Sequence, residues 1–157
     1  MEFGLKKRVI ELFNLAFADG NKDKYNNFER DFNVKLIELR DGEEFIGEDF
    51  KIKAYELVHG SCKPILGYIV EKENKKIGYA TDTVLCENLQ KMCKEANVIC
   101  IDSTNTVPTK MHIGLDEVIW LKEQNKDTRF LAIHRSDYVH NHIKNIEFPE
   151  DGEVIEI

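Results

Sequence analysis

The chain has 157 residues, at most one domain and a fraction, and its 42% hydrophobic, 32% charged and 10% aromatic content is that of an ordinary globular protein. Collagen-like, mucin-like and broadly disordered chains are excluded by that composition. Twenty-two basic against twenty-nine acidic side chains give a net charge of -7, which argues against broad nucleic-acid binding through phosphates.

The N-terminal residues 1–19 place Lys6, Lys7 and Arg8 before an apolar stretch, but Glu11 and Asn14 interrupt it and no small-residue cleavage site follows. Leu5, Val9, Leu12, Phe13, Ala16 and Phe17 fit helical spacing, so an amphipathic helix is expected, closed by the turn cluster Asp19-Gly20-Asn21. A polar stretch runs to Asn33. Strand-like runs follow at 34–39, 45–46 and 50–58, and 65–71 with 77–80 predicts a hairpin around Glu73-Asn74-Lys75. Thr83 or a neighbour is expected to cap a helix over 84–95, with Leu85, Leu89, Met92 and Cys93 apolar. A buried strand at 98–101, a helix over 114–124, a strand at 129–133, a short helix after Ser136 and a last strand at 153–157 complete the α/β pattern.

The four cysteines, Cys62, Cys86, Cys93 and Cys100, form no C-x-x-C pair, which argues against a zinc ribbon or a thioredoxin-type redox site. Reduced, partly buried thiols and the absence of an apolar run near the ~20 residues of a membrane helix point to the cytoplasm and to no membrane partner.

Polar residues that can bind metals close four of these strands. His59 ends the run before it, as do Asp82, Asp102 and His134. Strand ends of α/β sheets open onto loops, where sites are built. A lone residue of this kind is more often a cap, but four on separate strands form a pattern. Histidine and carboxylate are ligand types for zinc, iron or manganese, and an aspartate can bridge two ions. Paired metals activate a water and clamp a phosphoryl oxygen. His112, in the loop before the 114–124 helix, is placed to act as a general acid. His140-Asn141-His142 also spells a ligand pair, but in a polar predicted helix i and i+2 diverge, so a solvated face is the expectation.

Five blocks carry a family resemblance. They are His59-Gly-Ser-Cys-Lys-Pro-Ile-Leu-Gly67-Tyr68, Gly78-Tyr79-Ala80-Thr81-Asp82-Thr83, Ile101-Asp102-Ser103-Thr104, Met111-His112-Ile113-Gly114 and Ala132-Ile133-His134-Arg135-Ser136. Their order and spacing resemble the C-terminal half of metallo-β-lactamase-fold hydrolases, above all the ribonuclease Z-like enzymes and the phosphodiesterase of the carbon–phosphorus lyase pathway. The second block resembles the family's G-Y-T-G-D-T segment, with Ala80 and Thr81 as departures. The resemblance implies a partial αββα sandwich over 1–157, a single domain with one sheet, flanking helices and an N-terminal helix. It implies that His59 ligates one metal, Asp82 bridges two and His134 ligates the second, the ions being zinc, manganese or iron. His112 is then the proton donor to the leaving group and Asp102 the acidic residue that orients it. The implied reaction is metal-assisted hydrolysis of a phosphodiester.

The family's principal motif, H-x-H-x-D-H, is absent, and no histidine precedes His59. Each ion is left short of the four or more ligands it wants, so the chain alone is expected to be inactive. The sheet face that the family's other half covers is expected to be apolar and open, which implies self-association or a complementary chain. The other reading is a non-catalytic half-fold that serves dimerisation or partner binding. An unrelated α/β protein with coincidental strand-end residues is the third.

Overall fold

The computed structural model describes residues 4–17, 21, 24–136 and 143–157. They form two compact units, Met1–Leu39 and Arg40–Ile157. In the first unit, helix α1 (Leu5–Phe17) and the short α2 (Phe28–Asp31) gather around Phe13. Its ring lies 4.6 Å from Phe28 and 5.5 Å from Phe32, centroid to centroid, both edge-on. Glu29 accepts from Lys6 Nζ and from the Leu36 amide, and both hold its carboxyl below the usual carboxylate range. The expected strand at 34–39 does not form. That segment is tied down by its amides to Glu29 carboxylate and backbone oxygens instead of to a neighbouring strand.

The second unit is a seven-stranded sheet among the described residues, in sequence order: β1 (Glu44–Ile46), β2 (Lys51–His59), β3 (Cys62–Lys72), β4 (Lys75–Ala80), β5 (Val98–Ser103), β6 (Arg129–Arg135) and β7 (Ile146–Glu147). The β3–β4 hairpin turns at Glu73 and Asn74, both with positive φ, as a two-residue turn of matching twist requires. The first four strands pair antiparallel and the last four parallel. Two reversals bring β2 back into the direction of β4, β5 and β6, so these four strands end at one sheet edge. That shared edge positions the site.

Helices α3 (Glu87–Glu95) and α4 (Leu115–Gln124) cover one sheet face. Leu89, Met92 and Cys93 of α3, and Leu115, Val118 and Leu121 of α4, repeat every three or four residues and pack with Tyr55, Leu57, Ile69, Ile99, Ile101, Phe130 and Ala132. Thr83 does not cap α3, whose N-cap is Cys86. Its side chain is fully buried, and its hydroxyl donates to the Val84 carbonyl. The last expected strand, 153–157, is also not a strand; the sheet closes instead with β7. Arg129 and Lys75 hold that tail through the carbonyls of Glu156 and Ile157. The helix expected after Ser136, and the His140-Asn141-His142 motif, lie outside the described residues.

On α3, Glu95 meets Tyr55, Lys53 and Lys76. Burial opposes its charge, but the hydrogen bonds from Tyr55 and Lys76 and the lysine charges outweigh that and hold the carboxyl below its usual range. Burial pushes the Cys93 thiol up to about 12, whereas Cys62 is exposed. The thiolate is the reactive form, so Cys93 should resist a thiol reagent at pH 8 while Cys62 reacts. Mass mapping of alkylated cysteines, with and without denaturant, checks this; labelling of Cys93 at the Cys62 rate in the native protein would refute it.

Candidate metal centre

Each site residue is delivered by the end of a strand. Asp82 follows β4, Asp102 lies near the end of β5, His134 lies near the end of β6 and His59 is the last residue of β2. Asp82 and His134 have φ of 53° and 48°. Left-handed backbone at a residue with a Cβ is uncommon and costs of order 1–3 kcal/mol, so it persists only where the surroundings impose it. At His134 the cause is visible in the ladder. Asp102 pairs with Ile133 and Ser103 with Arg135, so the register passes over His134. The extra residue is a bulge, which re-aims its side chain beyond the sheet edge.

Ligand-type atoms of Asp82, Asp102, His112 and His134 all lie within 4.8 Å of one another. Asp102 is the buried centre. Its Oδ2 accepts from His112 Nδ1 at 2.7 Å and from the Thr83 amide at 3.2 Å. Its Oδ1 accepts from the Thr104 amide at 2.9 Å and lies 2.7 Å from the Thr104 hydroxyl. A carboxylate only accepts, so Nδ1 of His112 carries a proton and Nε2 is the nitrogen left for chemistry. His134 Nδ1 lies 2.8 Å from Asp82 Oδ1, and both side chains are about half exposed. This pair faces the solvent side of the site, whereas the Asp102–His112 pair faces the protein.

His59 stands beside this group but is not one of the four. Its ring meets that of His112 edge-on at 4.9 Å, and its Nδ1 lies 2.8 Å from the Met111 carbonyl. A carbonyl accepts, so Nδ1 donates and Nε2 is again the open nitrogen. The His112 loop is anchored at three further points. The Ile113 amide donates to the Thr83 carbonyl at 2.7 Å, and Thr109 Oγ1 accepts from the His112 amide at 2.9 Å. Gly114 lets Pro108 approach to where a Cβ would sit 2.4 Å from its nitrogen. The sequence predicts Thr83 only as a helix cap, and points neither to Thr104 as a partner of the site nor to the bulge at His134. Only the Asp-Ser-Thr and Asp-Thr dipeptide contexts hinted at the threonines.

The donor set suits a divalent ion. Zinc binds nitrogen and carboxylate oxygen at about 2.0–2.2 Å, so donors spread over 4.8 Å are on the scale of one coordination shell. Asp82 and His134, paired through Oδ1 and Nδ1, still offer Oδ2 and Nε2 to it, and His59 offers its Nε2. Asp102 offers none, because both its oxygens already accept hydrogen bonds in a fully buried position.

The sequence pattern of the Beta-lactamase superfamily domain matches residues 14–135, and the chain belongs to that family. Its fold is that of solved metallo-β-lactamase-type proteins. A diphosphatase of the PhnP family is 21% identical, with a TM-score of 0.64 over 82% of this chain and 51% of its own. The human tRNase Z short form is 23% identical, with a TM-score of 0.56 over 72% of this chain and 44% of its own. The metallo-β-lactamase-fold protein YhfI from Bacillus subtilis is 11% identical, with a TM-score of 0.60 over 78% and 52%. The chain therefore spans about half the length of these solved proteins. No curated protein sequence matches it.

Gly60, in the turn after His59, has a φ of 55°, and a Cβ there would lie 2.3 Å from Met111 Sδ. Gly60→Ala should therefore strain the turn through its positive φ and push the Met111 side chain aside, at a cost of about 1–3 kcal/mol in urea unfolding with an altered His59 imidazole signal in NMR. An alanine variant with wild-type stability and an unchanged signal would show that this contact does not constrain the turn.

Proposed function

We propose that this chain is the C-terminal portion of a metal-dependent hydrolase acting on phosphodiesters, working as one domain. The reading rests on one observation: a buried Asp102–His112 pair stands beside the more exposed Asp82–His134 pair at one sheet edge. His59, Asp82 and His134 would hold divalent ions, with the two oxygens of Asp82 suited to bridging a pair of zinc, manganese or iron ions. When bound, such ions supply an activated water and polarise a phosphoryl oxygen. The chain's own residues supply the proton. Asp102 holds His112 by Nδ1, so Nε2 is the atom that passes a proton to the leaving oxygen. The PhnP-family diphosphatase and tRNase Z, whose folds this chain shares, support a phosphate-ester substrate.

Asp82, His134 and His59 fall short of the four ligands that even one zinc ion takes, and the H-x-H-x-D-H motif is absent. We therefore propose that the chain is inactive alone and that a second polypeptide, either another copy or a complementary chain, completes the assembly. The sheet face away from α3 and α4 supports this. Tyr68 pairs with Tyr79, and Tyr79 with Cys100, and Tyr79 is half exposed. The Tyr79 ring suits a second apolar surface, whereas Ala54, Val98 and Leu131 on the same face are already buried. The four cysteines are unpaired and no helix among the described residues is long and apolar enough to cross a membrane, so we propose a reducing, cytoplasmic setting.

The half-exposed Tyr79 is what favours the second reading, a non-catalytic module for dimerisation or partner docking. Reconstitution separates the two, and tightly bound, stoichiometric metal in this chain alone would count against the module. The hydrolase reading expects substoichiometric metal in the isolated chain and a mass above that of the monomer. It also expects manganese- or zinc-dependent hydrolysis of bis(p-nitrophenyl) phosphate once a chain carrying H-x-H-x-D-H is added. In the active pair, His112→Ala should lower kcat by about 10²–10⁴. A reconstituted pair without diesterase activity would sink this reading and leave the docking module.

A further inference from the structure

We propose that Thr104 is a positioning residue whose single hydroxyl couples the metal-facing pair to the proton-donating pair, an inference that rests on the function proposed above. Thr104 follows β5 and is half-buried. Its Oγ1 lies 2.7 Å from Asp102 Oδ1, 2.7 Å from the His134 carbonyl and 3.0 Å from His134 Nδ1. The hydroxyl has one proton and can accept twice. It therefore donates to the Asp102 carboxylate and the His134 carbonyl, in turn or as a shared bond, and accepts from the His134 ring when Nδ1 is protonated.

The need for such a group follows from the bulge. His134 is skipped by the β5–β6 register and sits in left-handed backbone, so the ladder does not hold it there. A strained residue of this kind keeps its conformation only if neighbours fix it. Thr104 meets the residue at both its carbonyl and its ring. The same side chain, with its own amide 2.9 Å from Asp102 Oδ1, fixes the carboxylate that orients His112. Residues that hold a ligand rather than bind the metal commonly change metal affinity by 10–100-fold when lost. A valine at this position keeps the shape and removes only the hydroxyl.

The test compares Thr104→Val, Thr104→Ser and the parent chain, using cobalt(II) absorption titrations and the ¹⁵N signals of His112 and His134 in the metal-free protein. T104V should bind cobalt at least about 10-fold more weakly, with an altered visible band, and both imidazole signals should move. T104S should restore the affinity to within about 2-fold and return the signals to the parent positions, because it keeps the hydroxyl but not the methyl. Thr104→Ala gives the same readouts if T104V does not fold. Parent-like cobalt binding and parent-like imidazole signals in a folded T104V or T104A would overturn the proposal. A parent chain that binds too little cobalt to titrate is what its shortage of ligands allows, and leaves the function proposed above to the reconstitution assay. Thr104 is then judged on the metal-free signals alone: moved by valine and restored by serine they support positioning, and unmoved they refute it.

Discussion

A carboxylate taken wholly out of water costs several kcal/mol unless its lone pairs are met, and the site is built around meeting those of Asp102. Two backbone amides, one hydroxyl and one imidazole surround its two oxygens. Those donors come from different parts of the chain. Thr83 belongs to the β4–α3 connection, Thr104 to the turn after β5 and His112 to the loop before α4. Satisfying one buried charge therefore fixes three loops at once. Thr83 extends the effect, because its carbonyl accepts from the Ile113 amide and its hydroxyl oxygen lies 3.4 Å from the Val58 amide. The end of β2, with His59, is thereby brought into the same hydrogen-bonded body.

The sheet supplies the frame on which this anchoring works. Parallel pairing of β4, β5 and β6 puts three chain exits side by side, and the β2–β3–β4 reversals add a fourth. A regular ladder would direct alternate residues to opposite faces, not over the edge. The structure breaks regularity at two of these ends: the register shifts between Leu57 and His59, and again between Asp102 and Ser103. Strained φ values at Asp82 and His134 complete the pattern. At this edge the departures from ideal geometry thus gather at His59, Asp82 and His134 and directly after Asp102.

Much of this was legible in the sequence. β-branched runs each ended by His or Asp marked the strands and their edge residues, because buried strands need Val and Ile and a strand exit tolerates a polar group. Glu73-Asn74 announced the hairpin for the same local reason, its tolerance of left-handed turns. What failed was decided by tertiary partners. Residues 34–39 have the composition of a strand, yet Glu29 captures the amide of Leu36, and no local pattern reports a side chain seven residues away. Thr83 has the type of a helix cap, but its hydroxyl turns to the Val84 carbonyl and the Val58 amide, and α3 begins only at Glu87. The bulge at His134 depends on how two strands align, and neither strand alone contains that information.

The two functional readings differ in what they require of the interior. A docking module needs an apolar outer face and a well-packed core. It has no need of an ionisable group at the sheet edge, and an apolar residue of similar volume in place of a buried charged pair is often neutral or stabilising. This chain instead keeps Asp102 fully buried and surrounds it with donors, one of them a half-buried histidine whose second nitrogen is left for chemistry. It also holds two residues in costly left-handed backbone, which brings an aspartate and a histidine together at the rim. Packing and docking explain neither expense. Both suit the hydrolase proposed above, in which His112 would deliver a proton beside ions that Asp82 and His134 would hold. On that reading the sheet edge, rather than an outer face, is what the buried carboxylate is kept to organise.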